Sequence, residues 1–141
     1  MNPGLYVLTC ANGFNMDTVT LQGSGVTVYL SPSSEKINIH NGTSTLSAPT
    51  SGNYAGMLFY QSSSNNKDVV VDVAGGTRTC PQPTPAFNGV LYAPAGKLNF
   101  QDGAMSPTAV IVNKVAMTHG MICITSPATA SNAISRPVLV E

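Results

Sequence analysis

A glycine-led phrase of apolar and aromatic residues recurs along this chain. Gly25–Leu30 (GVTVYL) returns as Gly56–Gln61 (GMLFYQ) and, less closely, as Gly89–Pro94 (GVLYAP). A weaker first copy is Gly4–Leu8 (GLYVL). The first residues of the three stronger copies lie 31 and 33 residues apart. A short extended segment that returns at near-constant spacing is typical of stacked-repeat proteins, in which each coil buries its core against its neighbours.

The remaining sequence predicts short strands separated by tight turns. Runs of three to six residues, rich in β-branched and aromatic side chains, alternate with turn formers such as Asn12-Gly13 and Asp102-Gly103. Thirteen Gly and ten Pro interrupt the chain too often for long helices. The best helical candidate, Ala128–Ile134, is short and rich in poor helix formers.

The predicted strands follow one another in a recurring order. A Thr-rich strand comes before the glycine-led strand, and a third strand comes after it. The Thr-rich strands contain Thr18/Thr20, Thr43/Thr45 and Thr77/Thr79, and the third strands are Ile37–Ile39, Val69–Val73 and Lys97–Phe100. This order predicts a single all-β domain over residues 1–141, a single-stranded right-handed parallel β-helix of about four to five coils. The hand is expected from the chirality of parallel crossovers.

Alignment of the glycines predicts an interior file of side chains. Val26, Met57 and Val90 would lie one above another, with Tyr92 continuing the inward face after Val90. The segment from Arg78 to Phe87 carries three prolines and is predicted to be a surface excursion, since proline cannot donate ladder hydrogen bonds. The two terminal coils would present unpaired strand edges, so we expect end-to-end self-association or a cap formed from Ala128 onward.

Charge is scarce and balanced. Six basic and six acidic residues cancel, and only 9% of residues are charged, against roughly 25% in ordinary soluble domains. A neutral chain without a basic patch gives no electrostatic reason to bind nucleic acid or anionic lipid. No apolar run approaches the ~18 residues of a membrane span, so no membrane contact by this segment is expected.

Three cysteines, Cys10, Cys80 and Cys123, leave the redox state open. One disulfide with a free thiol and three reduced, buried thiols are both compatible with the spacing. No two cysteines stand at metal-ligand spacing, so no metal site and no cofactor are predicted.

The titratable side chains predict no catalytic site. The acids are Asp17, Glu35, Asp68, Asp72, Asp102 and Glu141, and most of them fall at predicted turns or on the surface. Both histidines, His40 and His119, stand beside turn residues, without the partner that a catalytic base needs. We therefore expect a protein that is not an enzyme.

Two outward faces are candidate binding surfaces. Thr18 and Thr20 stacked over Thr43 and Thr45 would form a flat grid of hydroxyl and methyl groups, which favours ice binding as an alternative function. Tyr29 and Tyr60 would align if Gly25 and Gly56 do, forming with Leu58 an aromatic stripe for a sugar or a partner. A carbohydrate-binding or carbohydrate-active β-helix is the other alternative.

Several segments in order resemble the C-terminal region of bacterial pilus-assembly proteins of the Tad/Flp (TadG-like) type. They are Pro3–Tyr6, Gly25–Leu30, Leu46–Gly52, Tyr54–Gln61, Asn88–Pro94 and Pro137–Glu141. The resemblance implies an extracytoplasmic location, in the periplasm or at the cell surface, as a C-terminal piece of a longer envelope protein. It also implies a non-enzymatic structural or adhesive role in pilus assembly or surface attachment, with other envelope or pilus-assembly proteins as partners.

Overall fold

The structure, a computed structural model, describes residues 1–9, 11–33, 36–41, 43–72, 80, 86–105 and 107–124. These residues contain strands and no helix, and every strand pairing among them is parallel, so the all-β prediction is confirmed. The strands are β1 (Gly4–Leu8), β2 (Phe14–Asp17), β3 (Thr20–Gly23), β4 (Val26–Leu30), β5 (Ile37–His40), β6 (Thr43–Ser47), β7 (Met57–Gln61), β8 (Val69–Asp72), β9 (Ala86–Asn88), β10 (Val90–Met105), β11 (Ala109–Met117) and β12 (Gly120–Ile122).

Each strand pairs with its equivalent one repeat later, which sorts the strands into three columns. The first column runs β1, β4, β7, the start of β10 and the start of β11. The second runs β2, β5, β8, the middle of β10 and the end of β11. The third contains β3, β6 and β9, and β12 pairs with the end of β10. The glycine-led phrase therefore marks the first column, as its spacing predicts.

The core lies between the columns. Phe59 of the first column packs edge-to-face against Phe14 of the second and Phe87 of the third, with ring centroids 5.5 and 5.7 Å apart. Around them are the inward residues of successive strands, such as Val28 and Leu98, which are almost inaccessible to solvent. Because the columns meet through these rings, apolar burial links all three walls.

Three strands depart from the sequence-based prediction. The first Thr-rich strand, predicted to contain Thr18 and Thr20, begins at Thr20, because Thr18 has a positive φ of 56° that turns the backbone away from an extended path. The strand β2 just before this corner was missed. In the third column β9 pairs with β6, so Phe87 belongs to a strand and to the core rather than to a surface excursion.

Other predictions fall on residues that the structure does not describe. They concern Thr77–Thr79, most of the proline-rich segment after Cys80, the cap from Ala128 onward, Cys10, Glu35 and Glu141.

A register shift corrects the predicted interior file. Val90 pairs with Met57 as predicted, but Leu91 then pairs with Phe59 and Tyr92 with Tyr60, which leaves Leu58 as an extra residue on β7. This bulge turns Leu91 inward and Tyr92 outward. The prediction that Tyr92 continues the inward face is therefore wrong.

A buried glutamine builds the corner after β7. Gln61 is fully buried, and its Nε2 donates hydrogen bonds to the carbonyl oxygens of Asn65 (2.9 Å) and Lys67 (2.7 Å). Asn65 Nδ2 in turn donates to the carbonyl of Ser31 in the preceding repeat (3.0 Å). On the other side Gly96 approaches so closely that an added Cβ would lie 2.5 Å from the Lys67 carbonyl oxygen.

We predict that Gln61→Ala destabilises the fold by about 2–4 kcal/mol, since it removes two hydrogen bonds from a buried side chain together with its packing. Chemical denaturation should show the loss as a lower midpoint with an unchanged slope. The matched control Gln22→Ala, on an exposed side chain of β3, should stay within about 0.5 kcal/mol of wild type. Equal effects of the two changes would refute the role given to Gln61.

One disulfide joins the third repeat to the end of the described chain. Cys80 and Cys123 are bonded, with Cα atoms 5.7 Å apart, and Met121 Sδ lies 3.6 Å from Cys80 Sγ. Of the two states that the sequence left open, the structure has a disulfide. The bond closes a loop over a sequence separation of 43 residues.

We expect the Cys80→Ser/Cys123→Ser variant to lose roughly 2–4 kcal/mol, because the open loop gives the unfolded chain more conformational freedom. The measurement is thermal unfolding of this variant and of wild type, each with and without reductant. Reductant should lower the melting temperature of wild type only. A wild-type curve that is insensitive to complete reduction would count against a stabilising bond.

Candidate functional site

Three tyrosines from successive strands of the first column stack on one outward face. The ring centroids of Tyr29 and Tyr60 lie 5.5 Å apart, and those of Tyr60 and Tyr92 lie 5.1 Å apart, with the latter rings almost parallel at 8°. Tyr29 and Tyr60 lie together as the sequence predicts. Tyr92 was predicted to face inward, but the bulge on β7 brings its side chain outward. The tyrosine in each of the three repeats is the sequence signal that could have placed Tyr92 in this stack.

Apolar side chains extend this stack to both ends of the column. Val7 pairs with Tyr29 and Ile111 pairs with Tyr92, and both are about half exposed. We name the file formed by Val7, Tyr29, Tyr60, Tyr92 and Ile111 the tyrosine wall. It crosses the five paired strands of the first column and carries no charge.

Tyr60 is the centre of the tyrosine wall. Partial burial raises the pKa of its hydroxyl, and the neighbouring Tyr92, Tyr29 and Tyr54 raise it further. Tyr54, in the loop before β7, is exposed and adds a fourth ring near this position. Leu58, predicted to lie beside the tyrosines on the surface, is instead buried, since it is the bulge residue of β7.

The stacking defines which parts of the rings a partner can contact. In the pairs Tyr29–Tyr60 and Tyr60–Tyr92 the ring faces are turned toward each other. A sugar that stacks on an aromatic face therefore finds the faces of Tyr60 occupied on both sides. Ring edges and hydroxyl groups are what the wall presents, and these suit the amphipathic contacts that tyrosine makes at protein interfaces.

The threonine grid does not form as the sequence pattern predicts. Thr20 pairs with Thr43, but Thr45 pairs with Gln22, and Thr18 lies at the corner after β2. The prediction aligned Thr18 with Thr43 and Thr20 with Thr45, two residues out of the observed register. Next in the column, Thr45 pairs with Ala86. The described residues therefore contain one Thr–Thr pair on this wall.

A polar cluster on the second column was missed from the sequence. His40 Nδ1 lies 2.9 Å from Asp17 Oδ1 in the preceding repeat, and His40 Nε2 lies 3.8 Å from Asp72 Oδ2 in the following one. Thr18 donates a further hydrogen bond to Asp17 Oδ1 (2.9 Å). All three titratable groups occupy the last position of β2, β5 or β8, so register alone brings them together.

The cluster alters the protonation of two of its members. The hydrogen bond with Asp17 raises the pKa of His40 and outweighs partial desolvation, which lowers it, and the charges of Asp17 and Asp72 raise it further. The hydrogen bond with His40, followed by that with Thr18, lowers the pKa of Asp17. When His40 is protonated, its imidazolium bridges three repeats. Among the described residues, no group of three or more His, Cys, Asp or Glu side chains could hold a metal ion.

The bridge is predicted to stabilise the protein most between about pH 4 and pH 6.5. The contribution of His40, whose pKa is raised, is complete below the usual histidine pKa of about 6.5 and is lost as the pH rises through the raised value. The contribution of Asp17, whose pKa is lowered, is complete above the usual aspartate pKa of about 3.9 and is lost as the pH falls through the lowered value.

An NMR titration of the imidazole signals tests the bridge directly. Asp17→Asn should lower the pKa of His40 toward its usual value, because the charged hydrogen-bond acceptor is lost. A His119→Gln variant assigns the two histidine signals, and Asp68→Asn, immediately before β8, is the control acid. If the His40 titration is unchanged in Asp17→Asn, the bridge does not exist in solution.

A neutral groove lies at the corner between the third and first columns. Its volume is about 460 Å³, and its polar lining includes Ser24, Ser47, Asn88 and Thr108. The Ser47 hydroxyl donates to Ser24 Oγ (3.2 Å), and the Thr108 hydroxyl donates to Asn88 Oδ1 (3.4 Å). These hydrogen bonds connect neighbouring repeats, so the polar groups that line the groove have a structural role.

Comparison with known proteins adds no relative: no protein-family model, curated protein or solved structure matches the chain. The residues that the structure describes include no helix of the length and hydropathy needed to cross a membrane.

Proposed function

We propose that this protein is a non-enzymatic extracytoplasmic module that serves a structural or adhesive role, with the tyrosine wall as its contact surface. In this proposal the three columns are the walls of a right-handed parallel β-helix with five coils. Its partners are other envelope or pilus-assembly proteins.

The pairing pattern supports the β-helical form. In the first column a strand from each of five successive repeats pairs with the next. The chain visits the columns in the same order each time, as it does in a solenoid. Right-handed winding is the rule for parallel crossover connections.

Two observations support an extracytoplasmic location. The Cys80–Cys123 disulfide belongs to an oxidising compartment such as the periplasm or the cell surface. The resemblance of the glycine-led segments to pilus-assembly proteins of the Tad/Flp type points to the same compartment.

The observation that carries the adhesive role is the tyrosine wall itself. Each ring is already packed against its neighbours in the wall. A partner that binds the rings therefore costs little additional side-chain entropy. Tyrosine combines a large apolar area with a hydroxyl group and is enriched at protein interfaces. An uncharged file of aromatic and aliphatic side chains about 19 Å long, four strand spacings of ~4.8 Å, offers an extended contact to a protein partner.

The test is capture of proteins from an envelope fraction of a bacterium that assembles Tad/Flp pili. The immobilised protein should retain envelope proteins, and Tyr29→Ser/Tyr60→Ser/Tyr92→Ser should weaken retention at least about tenfold, since interface aromatics dominate binding energy. Retained mass is measured on a quartz-crystal microbalance, after circular dichroism has shown that the variant is folded.

A matched triple variant on the third column, Thr20→Ala/Gln22→Ala/Thr45→Ala, should bind as wild type does. Protease treatment of the envelope fraction should abolish retention if the partner is a protein. Retention that survives the protease would indicate a glycan, and retention that is equal in both triple variants would show that the tyrosine wall is not the contact surface.

A further inference from the structure

Exposed apolar side chains concentrate at the two ends of the stack. The described residues include nine large apolar side chains that are exposed, and all but Tyr54 lie in the first or the last repeat. They are Leu5, Val7 and Val19 in the first repeat, and Ile111, Val115, Met117, Met121 and Ile124 in the last. Among the described residues, the strands between the first and last repeats carry none of these side chains, so the exposed apolar surface that is described lies mostly in the end repeats.

Two residues of the last repeat are exposed to solvent, although the equivalent residues of the earlier repeats are buried. Val115 follows Ile37, Val69 and Leu98 in one file, and those three are fully buried. Met117 follows Ile39, Val71 and Phe100 in the next file, which are equally buried. Val115 is nevertheless 54% exposed and Met117 47% exposed. A further coil below β11 would cover both.

The first repeat begins the same files. Phe14 and Met16 stand at the top of the files that end at Val115 and Met117. In the first column Val7 stands at the top of the file that ends at Ile111. Among the described strands, β11 pairs only with β10, β1 only with β4, and β2 only with β5.

We propose that copies of this protein stack head to tail, with β11 of one copy pairing in parallel with β1 and β2 of the next. This inference rests on the proposed structural role. It extends two files across the junction: Ile111 meets Val7 of the next copy, and Val115 meets the half-buried Phe14. The contact uses different surfaces on the two copies, so it generates an open filament rather than a closed dimer.

Charge complementarity favours a second copy over an unrelated occupant. Asp17, His40, Asp72 and Asp102 occupy one file on successive repeats. Phe100 pairs with Met117 and Gly103 with Gly120 at the same offset, which places His119 opposite Asp102 at the end of this file. With Thr118 as an extra residue, as Gln101 is where Asp102 pairs with Asp72, stacking sets His119 beside Asp17 of the next copy and repeats the His40–Asp17 pairing within the chain. The formal net charge of the chain is zero, so copies do not repel one another overall.

The third column is left out of the contact. Met1 donates its terminal amino group to the Gln22 carbonyl, and an added Cβ on Gly23 would touch Met1. The outer edge of β3 is therefore already occupied near Gly23. The junction consists of the first two columns.

Cysteine cross-linking tests the direction of stacking. Paired strands lie ~4.8 Å apart, within the Cα separation of a disulfide, so Val7→Cys in one copy and Ile111→Cys in another should bond under mild oxidation. In a Cys10→Ser background, which removes a competing thiol, the mixture of the two variants should give a cross-linked dimer. Each variant alone should give none, and the double variant should give a ladder of oligomers. Dimers from one variant alone would show a symmetric contact and overturn the proposal.

Sedimentation velocity over a concentration series tests the strength of stacking. The wild type should form larger species as the concentration rises. Val115→Lys and His119→Asp should each weaken association at least about tenfold, the first by placing a charge in the apolar file and the second by placing a carboxylate beside Asp17 of the next copy. Thr45→Lys, on an exposed position of β6, is the control and should associate as wild type does.

The two proposals fail in different ways. If wild-type protein stays monomeric at every concentration but still retains envelope proteins, stacking is refuted and the tyrosine wall stands as a contact surface. If the protein stacks but retains no envelope proteins, adhesion is refuted and the head-to-tail junction stands. The Tyr29→Ser/Tyr60→Ser/Tyr92→Ser variant should lose retention and keep its association.

Discussion

Parallel hydrogen bonding between one repeat and the next is the interaction on which the structure depends. It sets every register, and each register decides which side chains become neighbours. Asn38 Nδ2 donates to Asn15 Oδ1 at 2.8 Å because β2 and β5 pair residue for residue. The stacked rings of Tyr29 and Tyr60 follow in the same way from the pairing of β4 and β7. Repeated residue types at equivalent positions therefore contact one another directly.

Corners are where the sequence controls the register. Thr18 and Asn41 occupy equivalent positions after β2 and β5, and both adopt positive φ angles, so the two corners turn alike. The corner after β7, which leads from the first column to the second, is built by the buried amides of Gln61 and Asn65. A separate register shift, the bulge at the start of β7, moves Tyr92 from the expected interior to the outer wall.

The first column could be predicted from the sequence because its signal is redundant. Strands β4, β7 and β10 each start after a glycine and contain a tyrosine at a nearly constant place. In β2 the sequence FNMD has the required alternation, with Phe14 and Met16 inward, but it is only four residues long and lacks β-branched side chains. The third column was misaligned because the match between Thr18/Thr20 and Thr43/Thr45 was taken as register, whereas the corner at Thr18 shifts it by two residues. The Asp17–His40–Asp72 cluster has no local signal, since its members lie in three different repeats.

The low charge of the edge strands bears on the proposed head-to-tail stacking. Natural edge strands are commonly protected by charged residues, proline or bulges that prevent pairing with another chain. Strand β1 contains no charged residue and no proline, and β11 contains one charged residue, Lys114. The register shift between β10 and β11 lies at a corner that separates the first column from the second, so each half of β11 stays regular. Regular, nearly uncharged edges in the first and last repeats are the surfaces that the proposed head-to-tail stacking would pair.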